Sequence, residues 1–200
     1  RYAQIRSMDI SNGEGVGVAL FVQGCHFHCE DCFNQETWDF NGGQEWTNKE
    51  KNLFMHILNE PYITRCSILG GEPLTPENVE TVLDLIVSIR LHYPKIKIWL
   101  YTGYKFEQLI WPVITDDFNP ARDRRLQQIR KLISLCDVVI DDQYKKELRD
   151  VSLHWCGSSN QRVIDVQKTL AQNNKPNKLF NIFYLNTSKA HEIAMLIDNK

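Results

Sequence analysis

Cys66-Ser67-Ile68-Leu69-Gly70-Gly71-Glu72-Pro73-Leu74-Thr75-Pro76 is the stretch on which the fold turns. A short apolar run reads as a buried strand, and Gly70-Gly71 closes it in a tight loop. Thr75 with Pro76 behind it reads as the start of a helix, and Val79, Val82, Leu83, Ile86 and Ile89 supply its apolar face. Outward in both directions the same unit recurs. Val16 to Val22 is a second buried strand, ended by Gly24. Thr47-x-x-Glu50 is a capping box ahead of Leu53, Phe54, Ile57 and Leu58 at helical spacing. Ile96 to Tyr101 is a strand ending at Thr102-Gly103. Asn119-Pro120 opens a helix carrying Leu126, Ile129, Ile133 and Leu135, and Val138 to Ile140 is a strand ending in Asp141-Asp142. Alternation of this kind predicts an α/β fold with a mainly parallel sheet, in which ligands gather at the carboxyl ends of the strands. Trp111 to Asn119 reads as a surface loop. Leu179 to Leu185 reads as one more strand and His191 to Ile197 as a last helix, with the polar run Gln172 to Lys178 joining them to the body.

The loop after Val22 holds the most informative residues. Cys25, Cys29 and Cys32 lie within eight residues, while Cys66, Cys136 and Cys156 are scattered. His26, His28, Glu30 and Asp31 surround the three clustered thiols and make a core role untenable. Thiolates suit zinc and iron–sulfur clusters. A histidine, His26 or His28, could complete a zinc site. Alternatively, three thiolates hold three irons of a 4Fe–4S cluster and leave the fourth open to a small chelating ligand. Cys66 and Cys136 read as core residues.

Composition narrows the class. The 200 residues are 42% hydrophobic and 24% charged, with a formal net charge of −2, as in an ordinary folded domain. No apolar run approaches the ~18 residues of a membrane span. Neither the charge nor the aromatic content points to nucleic acid. Arg122, Arg124, Arg125, Arg130 and Lys131 read as a solvated helix face. With no export signal among the first residues, the expected compartment is the cytoplasm, where clustered cysteines bind metal or act in redox chemistry.

The cysteine spacing after the first strand of an α/β chain resembles the radical S-adenosylmethionine (SAM) superfamily. Further segments narrow the resemblance: Asp9 to Gly15 (DISNGEG), Cys32-Phe33-Asn34, Leu69 to Leu74 (LGGEPL), Trp99 to Tyr104 (WLYTGY) and Trp155 to Gln161 (WCGSSNQ). Together they are similar to the activating enzymes of anaerobic (class III) ribonucleotide reductase. The likeness spans roughly residues 1–165, which implies a radical SAM core domain there and a C-terminal extension over 166–200. The fold implied is a partial (β/α) TIM-like barrel of about five or six mainly parallel strands, since a full barrel needs ~250 residues. Gly17 stands where the family often has arginine, and Cys156 where some relatives carry one.

The resemblance implies site roles. Cys25, Cys29 and Cys32 would ligate the cluster, and SAM would chelate the open iron. Gly70, Gly71 and Glu72 would cradle the SAM ammonium, their carbonyls and carboxylate accepting its hydrogen bonds. Asp31 and Phe33 would lie against the adenine and ribose, and Thr102 is a further expected SAM contact. The implied reaction is one-electron cleavage of SAM to a 5′-deoxyadenosyl radical, which removes hydrogen from a glycine Cα of the reductase. It needs no general base, and none is nominated. The implied partners are the anaerobic ribonucleoside-triphosphate reductase and a one-electron donor such as a flavodoxin. Two alternatives share parts of the pattern: a radical SAM enzyme acting on a small molecule, as deazapurine-forming synthases do, and a zinc-binding interaction module.

Overall fold

The computed structural model describes residues 1–110, 119–173 and 182–185. Six strands form one sheet in chain order: β1 (Tyr2–Asp9), β2 (Gly17–Val22), β3 (Arg65–Gly70), β4 (Lys97–Tyr101), β5 (Val138–Asp141) and β6 (Arg162–Asp165). The pairings β2–β3, β3–β4 and β4–β5 are parallel, whereas β1 and β6 join antiparallel at the two edges. The sheet is mostly parallel and does not close into a barrel. Tyr184 bridges to Ile164 beside β6.

The helices are α1 (Asn48–Leu58), α2 (Val79–His92), α3 (Phe106–Ile110), α4 (Pro120–Ser134) and α5 (Val166–Asn173). The period-two alternation of the strands sorts side chains between two faces. Val18, Leu20, Val22, Ile68, Ile98, Leu100 and Val139 join Phe54, Leu58, Ile86, Ile89 and Leu132 from the helices in the main core. Full burial of each such side chain contributes about 1.5–3 kcal/mol. Ala19, Phe21 and Leu69, and separately Trp99, Val138, Ile140 and Val163, form two smaller clusters on the other face. That second face is where the cleft described below opens.

Several expectations are met closely. Thr47 caps α1 in a capping box with Glu50, and Asn119 caps α4 with Pro120 in its first turn. Cys66 and Cys136 are fully buried in the core. Others need correction. The helix after Gly70-Gly71 begins at Val79, not at Pro76. Asn78 donates its side-chain amide to the Gln23 and Glu72 carbonyls, and this tie keeps residues 75–78 in a turn. Leu53 on α1 is exposed, and on α2 the buried set includes Leu85, which the spacing does not single out. Gln172 belongs to α5 rather than to a connecting run. β1, α3 and β6 have no counterpart in the sequence reading. The expected loop over 111–118, residues 179–181 of the expected strand and the helix over 191–197 lie outside the described residues, and the described part of that strand, 182–185, makes an isolated bridge at Tyr184.

One buried cation organises the start of the chain. Arg65, at the head of β3, is fully buried and pairs with buried Asp9 at 2.9 Å. Its guanidinium also donates to the carbonyls of Asp9 at 2.7 Å, Asn12 at 2.8 Å and Glu14 at 3.2 Å, and to the Ser67 hydroxyl. It occupies the space that a side chain at Gly17 would need, the nearest guanidinium atom lying 2.8 Å from that Cβ position. The chain thus fills the region above Gly17 from β3 and pins the Asp9–Gly15 loop in place.

Candidate functional site

β2 delivers the chain into the cysteine loop. The Gly24 and Cys25 amides donate to the carbonyls of Thr37 at 2.7 Å and Trp38 at 3.1 Å, so the loop returns to its own base. Within it the Cys32 amide donates to the Cys29 carbonyl at 3.1 Å. Phe27 anchors the middle: its ring lies against Gly103, where a Cβ would come within 2.6 Å, and meets the Tyr104 ring edge-on at 4.9 Å. The Thr-Gly-Tyr segment after β4 therefore seats the cysteine loop.

Cys25, Cys29 and Cys32 line one cleft of about 490 Å³ together with Phe33, Gly70, Gly71, Glu72 and Thr102. Residues 70–72 are knitted to the end of β2. The Gly71 amide donates to the Val22 carbonyl at 2.9 Å and the Glu72 amide to the Gly24 carbonyl at 2.8 Å. Gly70 has φ +103°, and a Cβ at Gly71 would sit 2.4 Å from the Gly24 carbonyl oxygen. The two glycines are thus required by the close approach of this loop to β2.

Glu72 is buried, and its carboxylate accepts from the Leu74 amide at 2.8 Å, the Thr102 hydroxyl at 2.9 Å and the Gly103 amide at 2.8 Å. Burial pushes its pKa up to about 7, against these hydrogen bonds. Thr102 in turn accepts from the Tyr104 amide at 3.2 Å. Its hydroxyl thus donates to Glu72 and accepts from Tyr104, so Thr102 both lines the cleft and fixes Glu72.

Not every expected residue gathers here. Asp31 does not line the cleft; it is exposed and pairs with Lys146 at 2.9 Å, beside Glu30. Phe33 does line it, 55% exposed, with its ring edge-on to Tyr144 at 5.1 Å. His26 packs on Phe40 and lies 3.4 Å from Glu77, and His28 packs on Trp38; neither lines the cleft. Asp141 is buried under Arg162 and accepts from the Phe106 amide at 2.8 Å, a structural tie between β5, β6 and α3. Cys156 lines the cleft, and burial pushes its thiol up to about 12.

The sequence reading missed Phe27, Tyr101, Gln143 and Tyr144, which complete the walls. The Tyr101 hydroxyl is buried and has no hydrogen-bond partner among the described residues. Among the described residues, those other than glycine with left-handed backbone are His28 (φ 48°), Asp31 (φ 54°), Asp142 (φ 73°) and Trp155 (φ 65°). They fall in the two segments that flank the cleft, and such backbone strain concentrates at functional sites.

The donor set can be tested against the two metals. Among the described residues, no three His, Cys, Asp or Glu side chains form a ready-made single-ion site. A 4Fe–4S cluster takes one thiolate at each of three iron corners. Three partly buried thiols facing a common cleft fit that demand. Burial raises the Cys25 thiol to about 11 and raises Cys29 as well, so metal binding must displace their protons.

Comparison with known proteins agrees with this donor set. Residues 11–164 match the family model for a 4Fe-4S single cluster domain. The anaerobic ribonucleoside-triphosphate reductase-activating protein of Escherichia coli (strain K12) is 37% identical over 164 residues, covering 81% of this chain and 96% of that protein. The protein of that name from Enterobacteria phage T4 is 37% identical over 163 residues, covering 81% of this chain and 92% of its own. That from Salmonella typhimurium is 36% identical over 165 residues, covering 82% and 97%. The chain belongs to the family of anaerobic ribonucleoside-triphosphate reductase-activating proteins.

Proposed function

We propose that this chain is a radical SAM activase that generates a glycyl radical in the anaerobic ribonucleoside-triphosphate reductase. The observation that carries the reading is the convergence of Cys25, Cys29 and Cys32 with the Gly70-Gly71-Glu72 loop on one cleft at the carboxyl ends of parallel strands. The open six-stranded sheet supports a partial barrel, and the cleft on its second face is where a protein segment would enter. Residues 1–165 act as the catalytic core and 166–200 as an extension.

Bound in this cleft, a 4Fe–4S cluster and SAM would supply one-electron cleavage of a sulfonium and an acceptor for a glycine hydrogen. The three thiolates would hold the cluster by three irons. The Gly70 and Gly71 carbonyls and the remaining lone pair of the Glu72 carboxylate would accept from the SAM ammonium. Glu72 arrives fixed for this by Leu74, Thr102 and Gly103, so little ordering is left to occur on binding. Phe33 offers an exposed ring to the adenine, whereas Asp31 reaches that region only by leaving Lys146. Beyond the cysteine loop the cleft continues along Phe21, Tyr101 and Trp155. A one-electron donor such as a flavodoxin would supply the electron, and the cytoplasm is the compartment that would keep the thiols free to bind the cluster. No helix among the described residues is long and apolar enough to cross a membrane.

A deuterium label tests the reading. With a reductase deuterated at its glycines, 5′-deoxyadenosine gains deuterium under anaerobic turnover. Deoxyadenosine that carries no label would assign SAM cleavage to another substrate.

A further inference from the structure

The Gly157-Ser158-Ser159-Asn160-Gln161 segment is left without a role by the reading above; part of its hydrogen bonding ties it to Lys145, Leu148 and Asp150, and the rest converges on the peptide groups of Gln143. The Asn160 side-chain amide donates to the Gln143 carbonyl at 2.8 Å. The Gln161 side-chain amide donates to the Asp142 carbonyl at 3.2 Å, while its own oxygen accepts from the Gly157 amide at 2.8 Å and the Ser158 amide at 3.3 Å. The Gln143 amide donates to the Asp142 carboxylate at 2.8 Å, and Asp142 holds a left-handed backbone. Both peptide groups of Gln143 are thereby fixed from outside its own loop. Its side chain lines the cleft and its carboxamide meets Cys29 Sγ at 3.9 Å, with the thiol as donor.

We propose that Gln143 is a positioning residue that donates a hydrogen bond to the Cys29 thiolate when the cluster is bound, and that the Gly-Ser-Ser-Asn-Gln segment is its brace. The inference rests on the cluster reading above. A bound thiolate can only accept, and a half-turn of the terminal carboxamide exchanges its oxygen for its N–H at the same place. Cys32 already has a donor of this kind, since the Asn34 amide lies 3.4 Å from its sulfur. Hydrogen bonds to cluster sulfurs withdraw electron density and favour the reduced state, so they raise the reduction potential. Gln143 would therefore ease reduction of the cluster by its external electron donor, with a correspondingly smaller driving force for passing that electron on to SAM.

The test is the midpoint potential of the reconstituted cluster, followed by electron paramagnetic resonance during an anaerobic redox titration. Gln143→Met keeps the length of the side chain and removes the N–H. It should load the same iron as the wild type and titrate at a more negative potential. Asn160→Ala should move the potential the same way by a smaller amount, because it loosens the brace and leaves the donor. An unmoved midpoint in a fully loaded Gln143→Met protein overturns the proposal, and an unmoved midpoint in Asn160→Ala overturns the bracing. If Gln143→Met loads poorly, Gln143→Leu is read in its place. Failure of both to load while circular dichroism stays native also overturns it, because the residue would then serve assembly rather than potential. If the wild-type chain takes up no cluster, it is the functional reading that fails.

Discussion

Replacing Cys25, Cys29 or Cys32 singly with alanine abolishes SAM cleavage and leaves the fold intact. Loss of a single ligand is a heavier change than loss of a group that merely orients one, and even the latter costs 10–100-fold in metal affinity or activity. The expected loss of turnover is therefore at least about a hundredfold. The fold should survive because all three residues sit in a loop, only partly buried, and none belongs to the main core. Iron content measured beside far-ultraviolet circular dichroism separates the effects. A variant that keeps native ellipticity and loses its iron meets the expectation. A variant that still cleaves SAM contradicts the ligand assignment. Cys66 serves as the contrast, since it is fully buried in the core and its loss should act on stability.

The second large effect lies away from the cysteines. Asp9→Ala should destabilise the protein by about 3–5 kcal/mol, because it leaves the Arg65 guanidinium buried without its counter-charge. Both side chains are almost fully excluded from solvent. For a chain of this size the loss corresponds to a fall of roughly 10 °C in the thermal midpoint. The same change frees the Asp9–Gly15 loop, whose Ser11 and Asn12 line the cleft. Urea unfolding of the wild type and the variant measures the difference. A change below about 1 kcal/mol would mean that the remaining backbone acceptors of Arg65 satisfy it alone.

The central units were legible because their strands are buried on both faces and read as unbroken apolar runs. Gly17–Val22 is buried at every position; β3 ends at Gly70 and β5 at Asp141, while Gly24 and Gly103 follow two residues after β2 and β4. The edges were not legible, and the reason is physical. β1 pairs on one side only, and its residues from Ala3 to Met8 are half-buried or exposed, so no alternation survives in Tyr2–Asp9. β6 has four residues behind a polar turn, too few to register as a period. The start of α2 was misplaced because Thr75-Pro76 carries a local signature that the Asn78 tie to β2 overrides. In the site, the three cysteines were legible from spacing alone. Phe27 against Tyr104 and Cys29 against Gln143 were not, since these contacts join residues far apart in the chain. Gly70 and Gly71 were read for their approach to a ligand, yet the structure shows that their approach to Phe21 and Gly24 already requires them. Asp31 was read from its place beside a ligand, where adjacency along the chain says nothing of direction.

The most direct measurement is the metal content of protein purified without oxygen. Iron and acid-labile sulfide near four per chain, with a brown absorbance that changes when SAM is added, is the result expected of three thiolates holding a cubane with one open corner. One zinc per chain with neither iron nor sulfide would contradict it.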